Sequence, residues 1–290
     1  MKLSTALKLG RVSNLPTVWT NVFTGMALAG GVAVDPRLVI LLLSLSLFYV
    51  GGMFLNDAFD SGFDARARPE RPIPSGLVSA GQVYAVGFGM LAAGLVLLAW
   101  IGYGFEPFTQ WRPLLAGAGL AAAIVFYNWH HKENPLGPLV MGACRFLVYL
   151  CAGFAVASVL PGDVYVAAAV LLCYLIGLTY AAKKEHLGTL DNFWPLAFLA
   201  VPVVYGIYLA LARPAAFLPL LVFAGWTLFA LKLLRRRAKG DVPRAVVSLI
   251  AGIALLDATI LAGFGNWALA VLAVGAFALT LVWQRWVSGT

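Results

Sequence analysis

The chain has 290 residues, 62% of them hydrophobic and 11% charged, with a formal net charge of +8 and a mean hydropathy of +0.90. A soluble domain of this length needs far more polar surface to cover its core. Apolar runs of roughly 17–25 residues, the length that crosses a bilayer, recur from end to end. The composition therefore specifies an all-α, multi-pass membrane protein, and chain length loses its value as a guide to domain number.

In chain order, apolar spans are expected near 15–34, 37–56, 78–101, 113–129, 137–159, 163–182, 193–212, 215–234, 243–264 and 266–286, giving nine or ten transmembrane helices. Lys2, Lys8 and Arg11 ahead of the first span resemble the start of a signal peptide. However, Asn14, Pro16, Thr17, Thr20 and Asn21 interrupt the unbroken apolar region such a peptide needs, so the span reads as a retained helix. With the N-terminus on the cytoplasmic side, sixteen basic residues fall on that side and only Arg37, Arg112 and Arg213 on the other, Arg145 lying inside a span. That asymmetry orients the chain in a cell membrane. It also accounts for the basic excess, and no nucleic-acid-binding motif is present.

The second span runs into "FLNDAFDSGFDARARPERPIPSG", Phe54 to Gly76. Asp57, Asp60 and Asp64 are three of the 12 acidic residues in the chain. Asn56, Asp60 and Asp64 are spaced i, i+4, i+8, which puts them in one stripe if the helix continues through them. Like charges on one stripe repel, the more so near a bilayer. A hard divalent cation such as Mg²⁺ suits the oxygen set, with water and phosphate completing its shell. Arg66, Arg68 and Arg71 follow at once and can fork onto phosphate oxygens. The bland alternative is a set of solvated surface ion pairs.

The fourth span ends in "YNWHHKENPLGP", which brings Tyr127, Asn128, His130, His131 and Lys132 to the same side. A tyrosine at a span end is an ordinary interfacial anchor, and Lys132 can serve as an orientation charge. Arg145 lies about a third of the way into the next span, where an ionisable residue usually faces a polar cavity. Asp257, in the ninth span, is open to the same reading or to pairing with a backbone or hydroxyl group. The loop after the sixth span reads "YAAKKEHLGTLDN", with Lys183, Lys184, Glu185, His186 and Asp191. "RRRAKGDVPR" after the eighth is an orientation anchor. Cys144, Cys151 and Cys173 sit in apolar segments and form no CxxC pair, so they read as small buried hydrophobes. Three histidines, none in HExxH, are too few for a histidine-rich membrane di-iron site.

Asn56 through Asp64 resembles the first aspartate-rich motif, NxxxDxxxD, of the UbiA superfamily of intramembrane prenyltransferases, and "RPERPIPSG" resembles the arginine-proline stretch that trails it. Helix count, length and the special loops after spans 2, 4 and 6 extend the resemblance over residues 1–290, taken as one domain. The family's YxxxK is represented by Tyr127 and Lys132 at a spacing one residue longer.

The resemblance implies helices around a central cavity open to the cytoplasm, where Mg²⁺ holds a polyprenyl diphosphate and the prenyl tail leaves through a side opening into membrane lipid. It gives Asn56, Asp60 and Asp64 the metal, with Asp57 as helper. Arg68, Arg71 and Lys132 neutralise the leaving diphosphate. The isoprenoid group would pass to a small-molecule acceptor, aromatic or otherwise electron-rich. The family's second motif, DxxxD, is missing after the sixth span. Three arrangements are open: Glu185, with or without Asp191, holds a second metal; Lys183 and Lys184 bind the diphosphate directly; or the chain binds a prenyl lipid without transferring it. The first and third loops resemble a divergent, natural-product-associated branch. Rival readings are a prenyl-lipid carrier or exporter on the same fold and a structural membrane subunit.

Overall fold

The structure, a computed structural model, describes residues 1–31, 34–130, 134–183, 194–287 and 289. Among these there is no β-strand. A short helix α1 (Leu3–Leu9) and a 3-10 turn lead into α2 (Pro16–Leu28), followed by α3 (Arg37–Phe59), α4 (Ser61–Ala67), α5 (Ala80–Gly104), α6 (Trp111–His130), α7 (Gly137–Phe154) and α8 (Gly162–Lys183). A further 3-10 segment (Trp194–Leu199) precedes α9 (Ala200–Ala212), then α10 (Phe217–Arg236), α11 (Asp241–Gly263) and α12 (Trp267–Trp283).

A helix stands at each apolar span expected from the sequence. Among the described residues six segments are long and apolar enough to cross a membrane: α3, α5, α7, α8 (over Gly162–Ala182), α10 (over Pro214–Arg236) and α11. Leu196–Ala212 and α12 are apolar but shorter. The first helix, α2, has only 13 residues, because polar residues fill its first turns and Gly30, at φ +91°, ends the run.

The polar residues of α2 have a packing reason. Thr17, Thr20, Asn21 and Thr24 are all fully buried, since α2 lies inside the bundle against α3, α7, α11 and α12. Gly25 makes the approach to α7 possible: a Cβ there would stand 2.5 Å from the Tyr149 carbonyl oxygen. Small residues let membrane helices close up in this way, where lipid offers no hydrophobic drive between them.

Of the apolar clusters among the described residues, the two largest frame the interior. One joins α2, α3, α5, α6 and α7 through residues such as Leu45, Phe48, Leu98, Leu120 and Val148. The other joins α7 to α8, α9, α10 and α11 through Tyr149, Leu171, Tyr174, Phe223 and Ile253. Helix α7 is a wall of both. At the far end of α3 from Asn56, Asp35 accepts from Arg37 Nε at 2.9 Å, and Arg37 Nη1 donates to the carbonyls of Glu106 (3.0 Å) and Ala155 (3.1 Å). The guanidinium holds the Asp35 carboxyl below its ordinary pKa.

Candidate functional site

Between the two cores lies a cavity of about 930 Å³. Its walls come from α3 (Leu45, Phe48, Tyr49, Gly52, Met53), α6 (Leu120, Ile124, Tyr127), α7 (Met141, Cys144, Val148), α8 (Leu175, Leu178) and α11 (Val246, Ile250, Ile253). Most of its charged groups lie toward one end, the mouth, where Arg11, Asn14, Asn56, Asp60, Asp64, Arg68, Glu70 and Arg71 line it.

The helical stripe survives with a break. Helix α3 ends at Phe59, yet Asp60 keeps right-handed helical angles (φ −81°, ψ −5°). The i to i−4 bonds run on through it, from Asp60 N to Asn56 O (3.0 Å) and from Asp64 N to Asp60 O (2.9 Å). Asn56, Asp60 and Asp64 therefore stay in register across the junction and all face the cavity. Pro69, Pro72 and Pro74 prevent a longer helix and turn the chain back, so that Arg71 Nη1 reaches Asp64 Oδ2 at 2.9 Å and Asp57 Oδ1 at 3.3 Å.

Arg11 enters from the other flank, its Nη2 donating to Asn56 Oδ1 at 3.3 Å and Asp57 Oδ1 at 3.4 Å. Asn56 Nδ2 donates to Asn128 Oδ1 (3.1 Å), and Asn128 Nδ2 to the Gly52 carbonyl (3.0 Å). These bonds fix the Asn56 amide with its oxygen toward the arginine. Asp57 lies behind the stripe, held by Arg11 and Arg71. Thr179 on α8 also lines the cavity, and its buried hydroxyl has no partner among the described residues.

Deeper in, Arg145 on α7 stands with its guanidinium carbon 5.7 Å from the Tyr49 ring centre. Its Nη1 donates to Asn21 Oδ1 (2.8 Å) and its Nη2 to Thr17 Oγ1 (3.1 Å). Behind it, Asp257 of α11 is fully buried. It accepts from Asn21 Nδ2 at 2.7 Å, Thr20 Oγ1 at 2.5 Å and the Tyr149 hydroxyl.

Of the residues expected at the site, the structure gathers Asn56, Asp60, Asp64, Arg68, Arg71, Tyr127 and Arg145 on one cavity. Arg66 is exposed on α4 and is not among its lining residues. Lys183 ends α8, with its side chain undescribed, and His131, Lys132, Lys184, Glu185, His186 and Asp191 lie outside the described residues. Sequence reasoning left out Arg11, treated as an orientation charge, and the partners Thr17, Asn21 and Tyr149. For Thr17 and Asn21 a signal existed: polar residues at i, i+4 in an apolar helix mark a face turned inward.

Among the described residues no three His, Cys, Asp or Glu side chains converge on one point. An amide oxygen and two carboxylates on one wall are nonetheless the hard, incomplete set that Mg²⁺ accepts while keeping water or phosphate in its other positions. The residues fit the ion in that partial sense.

A multi-pass helical membrane protein with an oily interior cavity and a carboxylate–arginine rim is the class these features define. The sequence profile of the UbiA prenyltransferase family matches residues 18–250, and the chain belongs to that family of enzymes. It is 28% identical over 274 residues to a digeranylgeranylglyceryl phosphate synthase of Methanopyrus kandleri, covering 90% of this chain and 89% of that protein. It is 35% identical over 149 residues to the synthase of Metallosphaera sedula, a match that spans half of that relative, 50% of its length. Two solved structures share the fold. One, of a digeranylgeranylglyceryl phosphate synthase, superposes with a TM-score of 0.61 at 20% identity over 91% of this chain and 99% of the other. The other, a UbiA homolog from Archaeoglobus fulgidus bound to GPP and Mg²⁺, gives 0.53 at 14% identity over the same shares.

Proposed function

We propose that the protein transfers an isoprenoid group from a polyprenyl diphosphate, with Mg²⁺, to an acceptor that carries a glyceryl phosphate. The observation that carries this reading is the stripe of Asn56, Asp60 and Asp64 on one wall of an apolar cavity, flanked by Arg11, Arg68 and Arg71. Asn56, Asp60 and Asp64 would hold the metal, which when bound supplies positive charge to the leaving diphosphate. The arginines fork onto phosphate oxygens and favour departure of the diphosphate with the electron pair of its allylic C–O bond. Tyr127 adds a hydroxyl at the same level. The apolar walls on α6, α8 and α11 hold the tail and keep water from the allylic cation, which the acceptor hydroxyl captures with loss of its proton. In this reading Lys132, Lys183 and Lys184 serve the diphosphate and Glu185 the metal.

The acceptor follows the relatives' activity, a narrower choice within the aromatic or otherwise electron-rich acceptors that the resemblance implies. The relatives named are glyceryl phosphate enzymes, and a glyceryl hydroxyl is nucleophile enough for such a cation. The helices cross the membrane with the mouth on the cytoplasmic side, as the basic bias requires.

The test is melting of the purified protein in detergent with geranyl, farnesyl or geranylgeranyl diphosphate. Stabilisation should require Mg²⁺ and vanish in Asp60→Asn. Stabilisation that persists in that variant would remove the stripe from the donor site. No stabilisation by any of the three diphosphates would remove the prenyl-transfer reading itself.

A further inference from the structure

Among the described residues Arg145 donates its hydrogen bonds to neutral groups alone. Among the described residues no carboxylate lies within ion-pair distance of it, and its two hydrogen bonds go to an amide oxygen and a hydroxyl oxygen. A guanidinium has five N–H donors. The part of Arg145 that is not buried opens on the cavity, which it lines. Bringing such a cation into a low-dielectric bundle is costly unless an anion or a dense set of oxygens meets it.

The surroundings hold it in place. Thr17 donates its own proton to the Asn14 carbonyl (2.7 Å), leaving its oxygen to accept from Arg145. Asn21 turns its amide hydrogens to Asp257 and its oxygen to Arg145. Asp257 thus balances the charge from behind, through one intervening amide, without closing onto it. Tyr49 covers one face of the guanidinium. The result is a pre-oriented guanidinium on the cavity wall, lined also by Val18, Leu45, Phe48 and Val148, with three of its five N–H donors not used by these two bonds.

Its position separates it from the mouth. Tyr49 lies two turns deeper than Asn56 on α3, about 10 Å at 1.5 Å per residue. An anion at Arg145 is therefore a second anion, distinct from the one held by the carboxylate stripe and its arginines.

We infer that Arg145 is the anion-binding residue of an acceptor subsite, taking the phosphate of an amphiphilic phosphomonoester while the donor's diphosphate stays at the mouth. The inference rests on the proposed transfer reaction and names the group that selects its acceptor. The stripe on α3 and Arg145 on α7 stand on different helices of one cavity, two α3 turns apart in level, so the allylic carbon and the acceptor hydroxyl can meet between the two anions. The bidentate fork suits a phosphate and gives no comparable grip on an uncharged lipid alcohol.

The test uses geranylgeranyl diphosphate as donor and compares geranylgeranylglyceryl phosphate with geranylgeranylglycerol as acceptors. In Arg145→Gln the KM for the phosphorylated acceptor should rise at least tenfold, the donor KM should stay within twofold, and the preference for the phosphorylated acceptor should collapse. Arg145→Lys, which keeps the charge and loses the fork, should fall between. Equal loss toward both acceptors, or a rise confined to the donor KM, would overturn the assignment. A metal-free binding measurement separates this from failure of the transfer reading. Geranylgeranylglyceryl phosphate should raise the wild-type melting temperature without Mg²⁺ and leave Arg145→Gln unmoved, whereas glycerol phosphate and inorganic phosphate, lacking the tail, should do so only at far higher concentration. Equal stabilisation of wild type and Arg145→Gln, or none of the wild type, would refute it even if donor binding and transfer stand.

Discussion

The mouth of the cavity and the network around Asp257 are both polar clusters in an oily bundle, built in opposite ways. Most of the mouth comes from one continuous segment: Asn56, Asp57, Asp60, Asp64, Arg68 and Arg71 span sixteen positions, and its ion pairs are only partly buried. The inner network takes Thr17, Thr20 and Asn21 from α2, Arg145 and Tyr149 from α7 and Asp257 from α11, and Thr20 meets Asp257 across 237 positions of sequence. Its members are sealed from solvent on every side but that of Arg145. The mouth has charges to exchange with an incoming ligand, while the inner network has all of its carboxylate oxygens already bonded. Polar residues in a membrane bundle thus divide into those that bind and those that hold the binders in place.

Substitutions in the two clusters should separate along that line. Asp257→Leu removes the acceptor of three buried donors and strands Arg145, and should destabilise the protein by about 3–5 kcal/mol, read from denaturation in detergent. Thr20→Val deletes one of the three bonds at nearly constant volume and should cost about 1 kcal/mol by the same measurement. Asp64→Asn keeps a hydrogen bond to Arg71 and should change stability by less than about 1 kcal/mol, yet abolish Mg²⁺-dependent binding of the diphosphate. If Asp64→Asn destabilised as much as Asp257→Leu, the division between binding and holding would fail. Melting curves and donor titrations on the same three variants decide it.

The same contrast explains what the sequence disclosed. Membrane spans are written in runs of apolar residues, and a helix was found at every expected span. Their ends shifted where polar or glycine residues stop a helix short, as in α2, which occupies Pro16–Leu28 of an expected 15–34. The stripe was legible because helical spacing is local, and the i−4 bonds through Asp60 preserved it across a break. Arg71 could be placed near phosphate chemistry, but its pairing with Asp57 and Asp64 depends on how three prolines fold the chain back. Arg11 could not be read at all, since its partners Asn56 and Asp57 are 45 and 46 residues away and its charge already had a topological explanation. Arg145 and Asp257 announced themselves as ionisable groups in apolar spans. That they share a single asparagine is a fact of helix packing, invisible in either span.

Helix α7, the wall common to both cores, also divides the chain into an early and a late set of contacts. The core of α2, α3, α5, α6 and α7 uses only segments made early, so it can close once α7 is inserted. The second core waits for α11. Until then Thr20 and Asn21 have no carboxylate to meet, and α2 sits in the bilayer with a hydroxyl-and-amide face open to it. The polar face of α2 is thus completed from both directions of the chain, by Arg145 of α7 on one side and by Asp257 of α11 on the other.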